Sequence, residues 1–406
     1  MTLIECFSGI PVDDIAACLN LRPEKLIFLG NTDQMAPVVA RYESLLIRRG
    51  MQTIVETVEA DIDEMSSLIP ALRNLLAAED PCVVDLTNGD EPVIMAVGAA
   101  LAGLDKWTRR HVSLQKYDPD LGKWKDYDGD GWVIPGEQVI LTVEELIALH
   151  GGTIAANGFV PKEHYTAKDI QSLWDYSCKD SRAWNRAITI LGEFESRADS
   201  RTQVFLYLPH IAGTMKNFDD KLSQMRQLLS ELQDLGVIHN ESSENSLQYT
   251  YQNELVRHCT YKQGNILEAR AIMEARSTME NGEPYFQDCL PGVLIDWDGI
   301  LHDPDDWIPE TRNEIDLMAV RNGVPLFVSC KHGNVEEDEL YKLTAVAERF
   351  GGPYAKKMLI ATDIGKVGAS LEAFRLRAKD MGIHLVAHAA KMPSHQWQDA
   401  FKDAMK

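Results

Sequence analysis

The chain has no C-x-x-C pair, although it carries seven cysteines. That spacing offers a structural zinc ion no ligand framework, and an odd number of thiols fits a reducing, cytoplasmic setting better than a disulfide scaffold. No apolar run approaches the roughly 20 residues that cross a bilayer; the richest, 93–104, is too short. No basic stretch leads into an apolar one at the start, so a secretory signal is not expected. Basic charge is scarce, with 40 Lys and Arg against 62 Asp and Glu and a net charge of −22. Such a balance does not suit a protein that binds nucleic acid through bulk charge. Internal repeats, low-complexity tracts and the G-x-G-x-x-G fingerprint of dinucleotide binding are also missing.

What is present is an ordinary globular composition, 45% hydrophobic over 406 residues, long enough for two or three domains. The charge is uneven. Residues 1–150 carry 12 basic and 25 acidic side chains (−13), whereas 340–406 carry 11 basic and 6 acidic (+5). A polyanionic substrate would be held by this last stretch; a solvated helical surface of mixed charge is the plainer alternative.

The first hundred residues alternate helix and strand: helix 12–21, strand 26–30, helix 37–50, strand 53–58, helix 62–78, strand 82–86 and helix 93–104. That order predicts a parallel, doubly wound sheet, which binds ligands beyond the carboxyl ends of its strands. The loops there contain Ser8 and Gly9, then Gly30, Asn31 and Thr32, then Thr87, Asn88, Gly89 and Asp90. Residues 105–140 read as a β-hairpin excursion. Within it Asp126, Asp128, Asp130, Gly131 and Glu137 match the spacing of a calcium-binding EF-hand loop. The flanks, with Pro119, Gly122 and a strand pattern at 139–142, do not supply the helix pair, so an acidic exposed turn is preferred. The segment 151–254 is helical in pattern, and 218–235 followed by strands at 237–238 and 247–251 suggests a winged helix or a helical linker. From 255 onward a helix at 266–279, a strand at 293–297, a hairpin, a helix at 339–350, a strand at 358–362, a helix at 369–381 and a strand at 384–387 predict a mixed α/β domain.

The hairpin concentrates the chemistry. Asn322-Gly323 is the strongest two-residue turn signal. With Arg321 facing Val324, counting outward sets Asp316 opposite Ser329 and Glu314 opposite Lys331, all on one face. Two carboxylates, a hydroxyl and a lysine converge there. Asp316 is suited to a divalent cation, the carbonyl of Cys330 can add a second oxygen, and Lys331 can orient water or stabilise a developing negative charge. A structural Glu314–Lys331 ion pair is the plainer reading. Further carboxylates would come from helices: Glu268 shares a face with Ala271, Ile272 and Ala275, and Glu339 with Leu343, Val346 and Phe350. Asp296 and Asp298, on the preceding strand, are reserves.

The hairpin with a helical glutamate upstream resembles the PD-(D/E)xK nuclease core. Asn313-Glu314-Ile315-Asp316, Ser329-Cys330-Lys331, Glu339-Leu340-Tyr341 and Arg349-Phe350-Gly351-Gly352 together resemble the CRISPR-associated CARF–nuclease family, ancillary effectors of type III systems that cyclic oligoadenylate activates. The resemblance implies a Rossmann-like CARF sensor at 1–150, a helical or winged-helix linker at 151–254 and a restriction-endonuclease-like domain at 255–406. It implies a homodimer that binds one cyclic tetraadenylate across its two-fold axis and cleaves DNA or RNA with Mn2+ or Mg2+. Carried onto this sequence, Glu268 is the helix acid, Asp316 the metal-binding aspartate and Lys331 the catalytic lysine. Two positions depart. Asn88 stands where the sensor loop of the family has a glycine, and Ser329 stands where the second acid belongs, which makes Glu339 the first candidate for a migrated metal ligand. A sensing regulator that binds nucleic acid through a degenerate nuclease fold is the alternative, and Ser329 favours it.

Overall fold

The computed structural model describes residues 1–61, 64–79, 81–87, 91–119, 121–127, 131–133, 140–198, 202–300 and 311–406. Asn88, Gly89 and Asp90, and with them Asp128, Asp130 and Glu137 of the calcium-like loop, lie outside the described residues.

The N-terminal sheet runs in the order Ile54–Glu59, Lys25–Gly30, Thr2–Cys6, Cys82–Asp85, Val112–Asp118, Lys123–Asp126, Gly131–Val133. Its first five strands are parallel and its last two antiparallel. Thr2–Cys6 and Cys82–Asp85 are buried at every residue, as expected for central strands covered on both faces. The excursion expected after residue 105 is therefore part of this sheet, since Val112–Asp118 pairs in parallel with Cys82–Asp85. The helix Thr32–Arg48 starts five residues ahead of Pro37, because the Asn31 side chain accepts the N–H groups of Asp33 and Gln34 and caps it.

The middle segment holds a three-stranded antiparallel sheet, Ile238–Asn240, Ser246–Tyr251 and Gln203–Tyr207, with the helices Ser181–Glu195, Phe218–Asp234 and Glu254–Tyr261 around it. This arrangement matches the winged-helix pattern. The C-terminal sheet runs Ile383–Val386, Lys356–Ala361, Val324–Lys331, Arg312–Arg321, Asp288–Asp296, Thr153–Ala156. The first three strands are parallel and the rest antiparallel. Thr153–Ala156, from the segment expected to link the ends, thus edges the C-terminal sheet.

The hairpin turn forms as counted. Asn322 (φ 52°) and Gly323 (φ 78°) are both left-handed, and the ladder runs from Arg321↔Val324 to Leu317↔Val328. The turn is buried against the N-terminal domain. Tyr117 Oη donates to the Asn322 carbonyl (3.2 Å), and a Cβ at Gly323 would lie 2.5 Å from Val12 Cγ2. One hydrophobic cluster joins Phe28, Tyr42 and Leu141 to Met318, Phe327 and Phe350, and another joins Trp174 and Phe194 to Leu317, Val328 and Trp397. The C-terminal sheet is packed on one face by the helices Val143–Leu149 and Asp338–Gly351 and on the other by Asn265–Arg276 and Ser394–Ala404.

Candidate active site

The helix Asn265–Arg276 is buried all round, as a helix clamped between a sheet and a helical layer must be. Glu268 alone between Asn265 and Ala275 is partly open to solvent. It faces a cavity of about 460 Å³ that Glu314 and Asp316 also line. On the far side of Glu314 and Asp316, a smaller cavity of about 80 Å³ is lined by Ser329, Lys331 and Glu339. The expected residues of the hairpin and both helical glutamates are therefore gathered around one pair of strands.

Within this cluster Asp316 Oδ2 accepts the Cys330 N–H at 2.6 Å and the Ser329 hydroxyl at 3.3 Å. Lys331 pairs with Glu339 at 3.0 Å, and Lys342 reaches the other oxygen of Glu339 at 3.1 Å. The ion pair of Lys331 is thus made with the helix Asp338–Gly351 rather than with Glu314, since that helix packs over the end of its strand. Asp296 is held instead by Arg312 (3.4 Å), and neither Asp296 nor Asp298 lines either cavity.

The electrostatics follow from this packing. Burial, then the charges of Asp316 and Glu314, push the Glu268 carboxyl up to about 7, against a partial pull from Lys331. Burial also raises Asp316, although Lys331 and the Cys330 N–H offset part of the effect. Burial alone would lower Lys331, but Asp316 and Glu339 more than compensate and hold its ammonium above the usual lysine range. Burial is the largest single influence on Glu339 and raises it, but the hydrogen bonds and charges of Lys331 and Lys342 together outweigh it and hold it below the usual range. Crowded carboxylates that raise one another mark excess negative charge facing a cavity.

Among the described residues, no three His, Cys, Asp or Glu side chains stand close enough to hold a metal ion by themselves. Mg2+ and Mn2+ need fewer, since one or two carboxylates with waters and substrate phosphate complete an octahedral shell. The hard oxygen donors of Glu268 and Asp316, short of positive charge, fit that role. Glu339 is engaged by two ammonium groups.

In the N-terminal domain the expected ligand loops are tied to acids. The N–H and hydroxyl of Ser8 donate to Asp14 Oδ1 (both 2.9 Å), and the Gly9 N–H donates to Oδ2 (2.9 Å). The Thr32 N–H and hydroxyl donate to Glu59, and those of Thr87 to Asp85 at 2.9 and 2.6 Å. The Gly30 carbonyl accepts the Ala60 N–H (3.0 Å).

Behind these loops lies a cluster that sequence reading passed over: Glu5, Asp13, Asp14 and Asp85, each at most 3% exposed. Burial, with the acids' mutual repulsion, raises Asp13 and Asp85 to about 7 and Glu5 well above the usual range. Burial raises Asp14 to about 6. Among the described residues no donor reaches either oxygen of Glu5, and a protonated Glu5 is itself a hydrogen-bond donor to Asp85. The available signal was an acid inside an otherwise apolar parallel strand, at Glu5 and again at Asp85.

No protein-family model and no curated protein sequence matches the chain. Among solved structures, protein VC1899 from Vibrio cholerae is similar over 100% of this chain and 97% of its own, with TM-score 0.69 and 17% identity. Can2 from Sulfobacillus thermosulfidooxidans, solved in complex with cyclic tetra-adenylate, is similar over 100% of this chain and 99% of its own, with TM-score 0.62 and 13% identity. A Rossmann-like N-terminal domain, a helical middle and a mixed six-stranded C-terminal sheet thus compose one fold, which the chain shares from end to end with VC1899 and Can2.

Proposed function

We propose that the chain is a metal-dependent nuclease of the CARF type, switched on by cyclic tetraadenylate within type III CRISPR defence. The observation that carries the proposal is the cluster at the hairpin: Glu268, Glu314 and Asp316 crowd one cavity while Lys331, held by Glu339, stands across the strand pair. Glu268 and Asp316, with the Cys330 carbonyl, would hold Mg2+ or Mn2+, which supplies an activated water and neutralises charge on the transferred phosphoryl group. Lys331 is kept protonated by its carboxylate neighbours and so stabilises negative charge or orients water rather than acting as a free base. Ser329 supplies no charge; it donates to Asp316 and orients that carboxylate. Phosphodiesters of DNA and RNA both suit this chemistry.

Support for a sensing N-terminal domain comes from the shared fold with Can2, solved with cyclic tetra-adenylate bound. Protons held by Glu5, Asp13 and Asp85 near neutral pH also remove charge from behind the ligand loops of an acidic domain. A chain of hydrogen bonds links these loops to the hairpin and would carry the signal. Thr87 bonds Asp85 and accepts the Tyr117 N–H (2.7 Å), and Tyr117 Oη bonds the turn of the hairpin that carries Asp316 and Lys331. In a homodimer with the ligand on the two-fold axis, each copy's loops would shift each copy's hairpin.

The test is to incubate purified protein with plasmid, single-stranded DNA and single-stranded RNA in Mn2+, with and without cyclic tetraadenylate. Cleavage that needs both and disappears in Lys331→Ala is expected; cleavage equal to that control refutes the enzyme. A second reading, a cyclic-nucleotide-sensing regulator with a degenerate nuclease fold, is favoured by Ser329 and by the engagement of Glu339 with two lysines. Ligand-dependent nucleic-acid binding without cleavage would select it.

A further inference from the structure

A separate cavity of about 670 Å³ opens beyond the carboxyl ends of the three parallel strands Val324–Lys331, Lys356–Ala361 and Ile383–Val386. It shares no lining residue with the two cavities of the carboxylate cluster. Lys331 ends its strand, and Gly333, two residues on, lines this cavity. The fourth wall is the junction of the middle-segment helices Gln171–Lys179 and Ser181–Glu195. Four cations line it: Lys179 and Arg182 from that junction, and Lys366 and Lys391 from the strand-end loops.

Its two carboxylates, Asp180 and Asp363, offset half of that charge and leave the lining at +2. Asp180 is spent capping a helix, where it accepts the N–H groups of Arg182 and Ala183 (both 3.0 Å). Asp363 accepts the Gly365 N–H at 3.1 Å. Between Ala361 and the helix Gly368–Asp380 the chain runs Thr-Asp-Ile-Gly-Lys-Val-Gly, with Gly365 (φ 69°) and Gly368 (φ 56°) both left-handed. The helix has 13 residues, its N-cap, Val367, provides no side-chain acceptor for its first N–H groups, and Val367, Gly368 and Leu371 of its first turn line the cavity. Lys366 is fixed within this loop, with Nζ donating to the Val335 carbonyl (2.7 Å) and lying 5.2 Å from the Phe374 ring centre. A strand, a glycine-bracketed loop with an anchored lysine, and an open helix N-terminus is an arrangement that suits phosphate oxygens.

We infer that this cavity binds the phosphodiester backbone of the nucleic-acid strand beside the cleavage site, clamping it between the middle segment and the C-terminal domain. The inference rests on the nuclease reading and adds to it a binding site that spans two domains. Its cations carry no catalytic group, so they set affinity and register and leave the chemistry to Lys331 and the carboxylates.

The test measures anisotropy of a labelled 20-nucleotide single-stranded DNA, and of RNA of the same sequence, on the full chain in EDTA, with and without cyclic tetraadenylate, across a salt series. Lys179→Ala/Arg182→Ala/Lys391→Ala is compared with Lys106→Ala/Arg109→Ala/Arg110→Ala, which removes the same charge from the N-terminal domain. All six are exposed, so both variants keep the core. The expected result is an affinity loss of about tenfold or more in the first variant alone, with the salt slope reduced by about 2, as three lost phosphate contacts on a single strand require. The DNA and RNA arms show which backbone the site prefers. Equal losses in both variants, or unchanged binding in the first while the unaltered protein binds and cleaves, overturn this site and leave the nuclease reading standing. Failure of the unaltered protein to bind either oligonucleotide overturns both.

Discussion

In the N-terminal domain Glu5, Asp13, Asp14 and Asp85 are packed away from water, and in the C-terminal domain Glu268, Glu314 and Asp316 are packed beside it. Both groups are carboxylates that repel one another, and burial raises the proton affinity of Asp85 in the first and of Glu268 in the second. The N-terminal group meets hydroxyls: Tyr354 donates to Asp13, Tyr42 and Ser8 to Asp14, and Thr87 to Asp85. The C-terminal group meets an ammonium, Lys331, and opens on a cavity of about 460 Å³. Burial with hydroxyl donors settles charge by protonation; a lysine and an opening leave charge available for a cation or a phosphate. Carboxylate number therefore says little about chemistry without the neighbours.

The sharpest break between the two groups is catalytic. Asp316→Asn is expected to lower cleavage by at least about a hundredfold, the size of effect seen on losing one transition-state contact, whereas Asp13→Asn in the other group should leave the cleavage step itself unchanged. Single-turnover rates at saturating cyclic tetraadenylate make that comparison. Glu339→Gln comes next, at about tenfold. It frees Lys331 from the carboxylate that helps raise its proton affinity, so the alkaline limb of the pH–rate profile should move to lower pH. An unmoved limb would show that Glu339 does not act through Lys331.

The pH dependence of stability separates the groups in another way. Asp13, Asp14 and Asp85, with ordinary values near 3.8, rise to about 7, 6 and 7, so the folded chain binds more protons than the unfolded chain between those limits. Their contribution is complete below about 4 and is lost as pH rises through about 6 to 7. The thermal midpoint should fall from pH 5 to pH 8, and Glu5→Gln, which replaces a buried ionisable group by a neutral donor, should flatten that fall. A midpoint that rises with pH would contradict the protonated cluster. The smallest effect belongs to the link between the two groups. Tyr117→Phe removes the hydrogen bond to the Asn322 carbonyl and should weaken activation by cyclic tetraadenylate about two- to fivefold with unactivated cleavage unchanged.

Much of this was legible from local pattern. The alternation of helix and strand, the Asn322-Gly323 turn and the pairing of Asp316 with Ser329 follow from chain periodicity and turn chemistry, which act over a few residues. Glu268 and Glu339 were legible as acids on apolar faces, but their separate duties were not. The helix bearing Glu339 packs where it reaches Lys331, and the helix bearing Glu268 opens one side chain onto the carboxylates; both follow from how helices seat on the sheet. Glu5 and Asp85, far apart in the chain, become neighbours because Thr2–Cys6 and Cys82–Asp85 pair directly, with Glu5 beside Asp85. The sequence by itself determined the helix–strand alternation of the first hundred residues and the turn and register of the hairpin, because those depend on period and backbone torsion. Only the tertiary structure decided which acids keep their protons and which face a cavity, because burial and distance between remote segments set the cost of charge.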